Sequence, residues 1–174
     1  ISILETNAGT TTATFTVTLA GVVTTPVSVK VRTHDGTANT ADDDYEPLPL
    51  TTLDFAAAGT QQVTVTIDGD DKFEPDETYF VRLSEATNGA AISDGEALGT
   101  IRNDDATPTA RLSGPGSRLE LNDSFFDVFY DVTLTNPRSI PIEIELVALN
   151  LSAVAPVDYQ FPSPTELTFA PGET

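Results

Sequence analysis

Ala13-Thr14-Phe15-Thr16-Val17-Thr18-Leu19 alternates an apolar side chain with threonine at every step. A period of two places successive side chains on opposite faces of a β-strand, so this stretch reads as a strand with one buried face and one wet threonine face. The same period recurs along the chain. Val27, Val29 and Val31 alternate with Ser28, Lys30 and Arg32; Val63, Val65 and Ile67 alternate with Thr64 and Thr66; Tyr79, Val81 and Leu83 follow the same rule. Ala97, Gly99 and Ile101 close the series more weakly, and short strands at 1–4 and 53–55 bring the total to seven. No stretch carries a 3.6-residue period. The expected fold is all-β, a seven-stranded antiparallel β-sandwich. Phe15, Val17, Leu19, Val29, Val31, Val65, Ile67, Val81 and Leu83 should be inside, and the threonines at 14, 16, 18, 64 and 66 should face water.

Asp44-Tyr45 returns as Asp158-Tyr159, and Phe55-Ala56-Ala57-Ala58-Gly59-Thr60 returns at the same interval as Phe169-Ala170-Pro171-Gly172-Glu173-Thr174. Nearer the N-terminus the interval is one residue longer: Glu5, Phe15, Val17 and Leu19 are answered by Glu120, Tyr130, Val132 and Leu134. One deletion before the Asp-Tyr pair explains the step. The chain therefore reads as a tandem array: a module over 1–105, a short junction over 106–109, and the front half of a second, truncated module over 110–174. Strands are expected there at 128–134, 140–146 and 167–169. Half a sandwich leaves its core open and its edges unpaired, so it is not expected to be stable alone. The start at Ile1, inside an apolar segment, and the end at Thr174 read as cuts in a longer protein.

With 39% hydrophobic residues, a module of this size can bury its own core. The chain has no cysteine, so neither a disulfide frame nor a thiolate metal site is available. The net charge is −19, and Lys30 and Lys72 are the only lysines. Such a surface repels nucleic acid and anionic membranes and attracts cations. No apolar run approaches the ~20 residues that span a bilayer, so no membrane insertion is expected of this segment, and no signal peptide is visible.

Successive strands of an antiparallel sandwich run in opposite directions, so alternate connections share a pole. Glu5 closes the first strand, and Asp44 lies between the third and fourth. Asp70, Glu74 and Glu77 lie between the fifth and sixth, and Asp104 and Asp105 follow the seventh. All seven acids fall at one end. Crowded carboxylates repel unless cations neutralise them. Calcium accepts six to eight oxygen ligands in flexible geometry, whereas magnesium holds its waters in a strict octahedron. Seven acids carry more charge than one Ca²⁺ cancels, which favours two or more ions. Solvated loop acids are the bland alternative, but convergence at one pole and the repetition of Glu5 and Asp44 as Glu120 and Asp158 argue against it. Asp42 and Asp43 align with Pro156 and Val157 and are read as solvated neighbours.

Several motifs together resemble the Calx-beta domain, found in sodium–calcium exchangers, an integrin subunit and bacterial surface proteins. They are Glu5, Thr33-His34-Asp35-Gly36-Thr37-Ala38 leading to Asp44-Tyr45, and Leu53-Asp54-Phe55. Gly69-Asp70-Asp71-Lys72-Phe73-Glu74-Pro75-Asp76-Glu77-Thr78-Tyr79 and Gly99-Thr100-Ile101-Arg102-Asn103-Asp104-Asp105 complete the set. The resemblance covers essentially all of 1–105. It implies an immunoglobulin-like sandwich with a Ca²⁺ cluster at its distal loops. Glu5, Asp44, Asp70, Glu74, Glu77, Asp104 and Asp105 are then side-chain ligands, with Lys72 offering its backbone carbonyl. Gly69 and Asn103 stand where the exchanger version has acids, which lowers ligand charge. In the second module Leu149-Asn150-Leu151-Ser152 replaces the Asp-Gly-Thr-Ala turn, and only Glu120 and Asp158 of a comparable site are present.

No catalytic or cofactor-binding motif accompanies these features, and an enzyme is not expected. His34, the one histidine, sits in a turn that its neighbours explain structurally. Asp68-Gly69-Asp70 resembles the start of an EF-hand loop, but the following positions fail. Asn122-Asp123-Ser124 and Asn150-Leu151-Ser152 match the N-glycosylation triplet, which is common by chance. The leading expectation is a calcium-binding structural or adhesive module of an extracellular or cell-surface protein. Its partners would be calcium ions and neighbouring modules, with the ions stiffening the junction. The alternatives are a calcium-sensing regulatory domain of a membrane transporter and a ligand-binding adhesin module.

Overall fold

The computed structural model describes residues 1–119, 126–161 and 166–174. Two compact units divide the chain, Ile1–Asp105 and Ala106–Thr174. All the regular secondary structure of the described residues is strand, and among these residues no helix is long and apolar enough to cross a membrane.

The first unit holds β1 (Ser2–Leu4), β2 (Gly9–Leu19), β3 (Val27–Asp35), β4 (Thr51–Phe55), β5 (Gly59–Gly69), β6 (Glu77–Ser84) and β7 (Glu96–Arg102). One sheet runs β1-β7-β6-β3-β4; β2 and β5 form the other. The period of two does its work in the β2–β5 ladder, where Ala13 faces Val65 and Phe15 faces Val63. These residues and Ile67 meet Val29, Val31, Leu53, Phe55, Tyr79, Val81 and Ile101 of the other sheet in a single core. Phe15 and Tyr79 touch across the layers, edge to face, with centroids 6.1 Å apart.

Register is as the alternation requires, with differences at the rim. Val17, Leu19 and Leu83 are half-buried and pack against the edge of the core. Thr66, expected in water, is half-buried. Tyr45 bridges to Ile67 and the Glu46 N–H donates to the Thr66 carbonyl at 3.0 Å, so the 44–46 segment lies along that part of β5. The weak pattern at Ala97-Gly99 also has a cause. A Cβ on Gly99 would lie 2.3 Å from Tyr79 Cζ, so the strand gives up a side chain to seat the buried ring.

One expectation is corrected: the sandwich is not wholly antiparallel. β1 pairs with β7 in parallel, Ser2 opposite Thr100 and Leu4 opposite Arg102. First and last strands of a seven-strand alternation run the same way, so once adjacent they must be parallel. Both then end at the same pole.

In the second unit β8 (Ala110–Ser113) pairs with β9 (Asp131–Leu134), and β10 (Ile142–Glu145) with β11 (Glu166–Phe169). These strands are shorter than the patterns at 128–134 and 140–146. Among the described residues of this unit Leu134 is its one buried large apolar residue, while Phe129, Leu149 and Leu151 are exposed. Isolated two-stranded pairs are marginal in water. The repeated dipeptide has a structural echo. Asp44 Oδ2 accepts the Asn39 N–H at 2.7 Å, and Asp158 Oδ2 accepts the Val154 N–H at 2.8 Å. Tyr45 Oη donates to Asp35 Oδ1 at 2.5 Å, and Tyr159 Oη donates to Asn150 Oδ1 at 2.7 Å.

Candidate metal centre

The parallel β1–β7 pair carries two acid-bearing segments to one place and continues beyond the strands. The Glu5 N–H donates to the Arg102 carbonyl at 3.0 Å. The Thr6 N–H then donates to Asp104 Oδ1 at 3.0 Å, and Asn7 Nδ2 to Asp105 Oδ1 at 2.6 Å. Gly69, ending β5, lies against this segment so closely that a Cβ would fall 2.3 Å from the Thr6 carbonyl oxygen. That contact explains why the position carries no acid.

The segment bearing Asp44 is tied down separately. The Ala38 N–H donates to the Thr78 carbonyl at 2.9 Å, and the Thr78 N–H to Thr37 Oγ1 at 2.8 Å. Asn39 Oδ1 accepts the N–H groups of Ala41 and Asp42, both at 3.1 Å, a side-chain turn of the kind asparagine favours. Asp44 follows with its carbonyl accepting the Asp68 N–H at 3.2 Å.

Carboxylate oxygens of Asp44, Glu74 and Glu77 all lie within 4.8 Å of one another. Two oxygens each about 2.4 Å from a shared calcium ion lie no more than about 4.8 Å apart, so this spacing suits a common hard cation. Glu5, Asp44, Glu74 and Asp105 are also the only polar or charged residues buried among those described, at 5%, 6%, 7% and 7% exposure. Burying a carboxylate is costly unless it is paired, protonated or bound to metal. Asp105 Oδ2 is buried without a hydrogen-bond partner.

The electrostatics follow from the crowding. Burial, and then the charges of Asp70, Glu74, Asp105 and Asp44, push Glu5 up to about 8. Burial and the neighbouring Asp44, by hydrogen bond and charge, push Glu77 up to about 8 as well. Glu74 is raised by burial against the opposing pull of Lys72. Asp105 is raised by burial and by Asp104, Asp70 and Asp71. The donor set is oxygen throughout, with no histidine or cysteine, and it fits a hard divalent ion such as calcium.

Asp44, Glu74 and Glu77 converge, and Glu5 faces Asp70, Glu74, Asp105 and Asp44. Glu77 belongs to β6 as its first residue rather than to the loop before it. Asp104 is exposed, with Oδ1 on the Thr6 N–H. Lys72 shows a second role: besides any carbonyl it offers, its ammonium enters the cluster, 3.1 Å from Glu74 Oε1 and 3.4 Å from Asp70 Oδ2. Asp42 and Asp43 are exposed, as expected. Glu120 and the triplet at 122–124 lie outside the described residues, and Asp158 is exposed.

From the sequence Asn103 reads only as a missing acid. Its Oδ1 accepts the Glu74 N–H at 3.1 Å, its Nδ2 donates to the Asp105 carbonyl at 3.1 Å, and its own N–H donates to Asp76 Oδ1 at 3.2 Å. It fastens the β5–β6 loop to the end of β7. No local signal marks such a role, because the partners lie far away in sequence.

The family model described as the Calx-beta domain matches residues 3–105. Sodium/calcium exchanger 1 of Mus musculus is 34% identical over 97 residues, and its Rattus norvegicus counterpart 33% over 97 residues. The match takes in 56% of this chain and 10% of either relative, so the chain spans about a tenth of the length of these curated relatives. Among solved structures, the apo-form Calx CBD1 domain superposes with a TM-score of 0.52 at 27% identity, covering 60% of this chain and 89% of that one. The calcium binding domain CBD12 of CALX1.1 gives the same score and identity, over 60% of this chain and 41% of that one. CBD12 from CALX1.2, at 18% identity and a TM-score of 0.52, shares the fold over 76% of this chain and 65% of that one. With the family model spanning well over half its length, the chain belongs to the Calx-beta domain family.

Proposed function

We propose that residues 1–105 are a calcium-binding module whose ions replace mutual repulsion among buried carboxylates with shared coordination. One observation carries the reading: every buried polar or charged residue among those described is a carboxylate of this cluster. The solved relative whose description reads calcium binding domain supports it. Glu5, Asp44, Asp70, Glu74, Glu77, Asp104 and Asp105 would hold the ions, and calcium would supply positive charge beyond the single ammonium that Lys72 brings there. Asp104 and Asp105 immediately precede residue 106, so ordering them would restrain the 106–109 junction. The paired Asp-Tyr geometry of the two units supports the tandem reading, with 110–174 as the front of a second module.

Two settings follow from this mechanism. An extracellular structural or adhesive array was the compositional expectation, and the relatives reported above lend it no support. Their identity as sodium/calcium exchangers supports the other setting, a regulatory domain that senses calcium for a transporter.

Titration calorimetry of the 174-residue chain with calcium, and with magnesium as control, tests the function and separates the settings. Sensor sites bind with Kd on the order of 10⁻⁷–10⁻⁵ M and extracellular modules on the order of 10⁻⁴–10⁻³ M. Ions that bind only the folded state add about 2.7 kcal/mol at a hundredfold excess over Kd. Asp44→Asn together with Glu77→Gln should abolish the heat and the calcium-dependent rise in Tm while leaving the strand spectrum intact. A wild-type chain with neither heat nor a Tm shift would leave an acidic spacer with no calcium mechanism.

A further inference from the structure

We propose that the Lys72 side chain is the resident counter-ion of the calcium-free cluster, which calcium must displace, so that Lys72 sets the affinity of the site; this rests on the calcium reading above. Lys72 is one of only two lysines in a chain of net charge −19. Among the described residues it supplies the only ion pairs that any of the seven cluster acids makes. Its ammonium is held rather than solvated: the side chain is 19% exposed, and that of its partner Glu74 only 8%.

Asp70 is engaged at both oxygens by this one residue. Oδ1 accepts the Lys72 backbone N–H at 2.7 Å, and Oδ2 lies 3.4 Å from Nζ. Glu74, 3.1 Å from the same nitrogen, is also a member of the converging triad with Asp44 and Glu77. A calcium ion coordinated through Glu74 or Asp70 would sit within a few ångströms of Nζ, at a range where a divalent ion and an ammonium repel strongly in a half-buried site. The two cations therefore exclude one another.

Lysine suits such an exchange. It is a compact point charge on a flexible four-carbon stem that can swing into solvent, whereas an arginine fork would grip both carboxylates with fixed geometry. Spacing matters too, because Asp70, Lys72 and Glu74 share one short segment, so the ammonium holds the loop closed in the absence of metal. Calcium binding is then an ion exchange on a pre-ordered loop, at reduced affinity.

The test uses Lys72→Met, which keeps the stem and removes the charge, beside Lys30→Met. Lys30 pairs with Glu85, away from the cluster, so this control changes the net charge equally. Calcium affinity comes from calorimetry on the 174-residue chain, and Tm is recorded in chelator. Lys72→Met should bind calcium about tenfold more tightly and melt lower than wild type in chelator, while Lys30→Met keeps wild-type affinity. Should Lys72→Met fail to fold without metal, Lys72→Gln, or competition against a calcium-binding dye from the calcium-loaded side, gives the same comparison. A wild type that binds calcium while Lys72→Met binds equally or more weakly overturns the exchange and leaves the calcium reading standing. Absence of calcium binding in both overturns the two together.

Discussion

The rings of Tyr45 and Tyr79 stack with centroids 4.8 Å and planes 23° apart, and each lies just beyond an acid of the converging triad, Asp44 and Glu77. Both rings are fully buried, so the two acid-bearing segments are anchored to the core through one aromatic pair. Their hydroxyls differ. Tyr45 Oη donates to Asp35 Oδ1 at 2.5 Å. Tyr79 Oη is buried with no hydrogen-bond partner, and burial pushes it up to about 12.

That asymmetry predicts opposite responses to the same chemical change. Tyr45→Phe leaves Asp35 without its donor and should cost about 1.5–3 kcal/mol, the range for hydrogen bonds to charged groups. Tyr79→Phe removes a desolvated, unpaired hydroxyl and should be neutral or stabilising by about 1 kcal/mol. Urea unfolding of both variants in chelator measures the difference. Equal losses would mean that the two hydroxyls are equivalently satisfied in solution.

The strands were legible because a period of two is written locally in residues such as Phe15, Val17, Val63 and Val65. The pole was legible because alternate connections of a sandwich share an end, whatever the details of pairing. What escaped the sequence depends on partners far apart in it. The Thr6–Asp104 bond spans 98 residues and the Glu74–Asn103 bond spans 29, and neither leaves a local pattern. The parallel β1–β7 pair escaped for the same reason, since alternation fixes faces but not neighbours. The Lys72 ammonium escaped because only the built loop shows which acids lie within its reach.

Gly69 offers a steric test of that long-range assembly. A methyl group there would meet the Thr6 carbonyl oxygen at 2.3 Å and the Glu5 carbonyl oxygen at 2.9 Å, both backbone atoms that cannot swing aside. Gly69→Ala should therefore cost about 1–3 kcal/mol, as overpacking does, and should weaken calcium binding by displacing Glu5. Gly59→Ala is the control, since nothing lies within 4 Å of its added methyl. Thermal melts with and without calcium would expose the contrast, and equal behaviour of the two variants would remove the steric account.

The calcium-free module should lose stability as pH rises. Glu5 and Glu77 move from 4.5 up to about 8 on folding, so the folded state binds protons more tightly than the unfolded chain. A raised carboxyl contributes stability in full below its unfolded value and loses it as pH climbs through the folded value. In chelator, Tm should fall between about pH 5 and pH 8, and Glu5→Gln with Glu77→Gln should flatten the slope. Calcium needs the deprotonated carboxylates, so its affinity should rise over the same window and binding should release protons. A chelator Tm that climbs with pH across this window would contradict the crowding of these two acids.

Asn103 separates fastening from charge. Asn103→Ala removes the acceptor of the Glu74 N–H and the donor to the Asp105 carbonyl in a half-buried setting. It should cost about 1–3 kcal/mol and weaken calcium binding by roughly tenfold, because Glu74 and Asp105 are no longer held together. Asn103→Asp keeps the acceptor, loses the donor and sets another carboxylate beside Asp104 and Asp105. In chelator the added repulsion should make it no more stable than the alanine variant, whereas in calcium the extra charge should let it bind more tightly than that variant. The order of the two therefore depends on the ion, which packing loss alone would not produce. Calorimetry and paired melts at matched ionic strength decide the matter. An alanine variant with wild-type Tm and wild-type affinity would show that Asn103 fastens nothing.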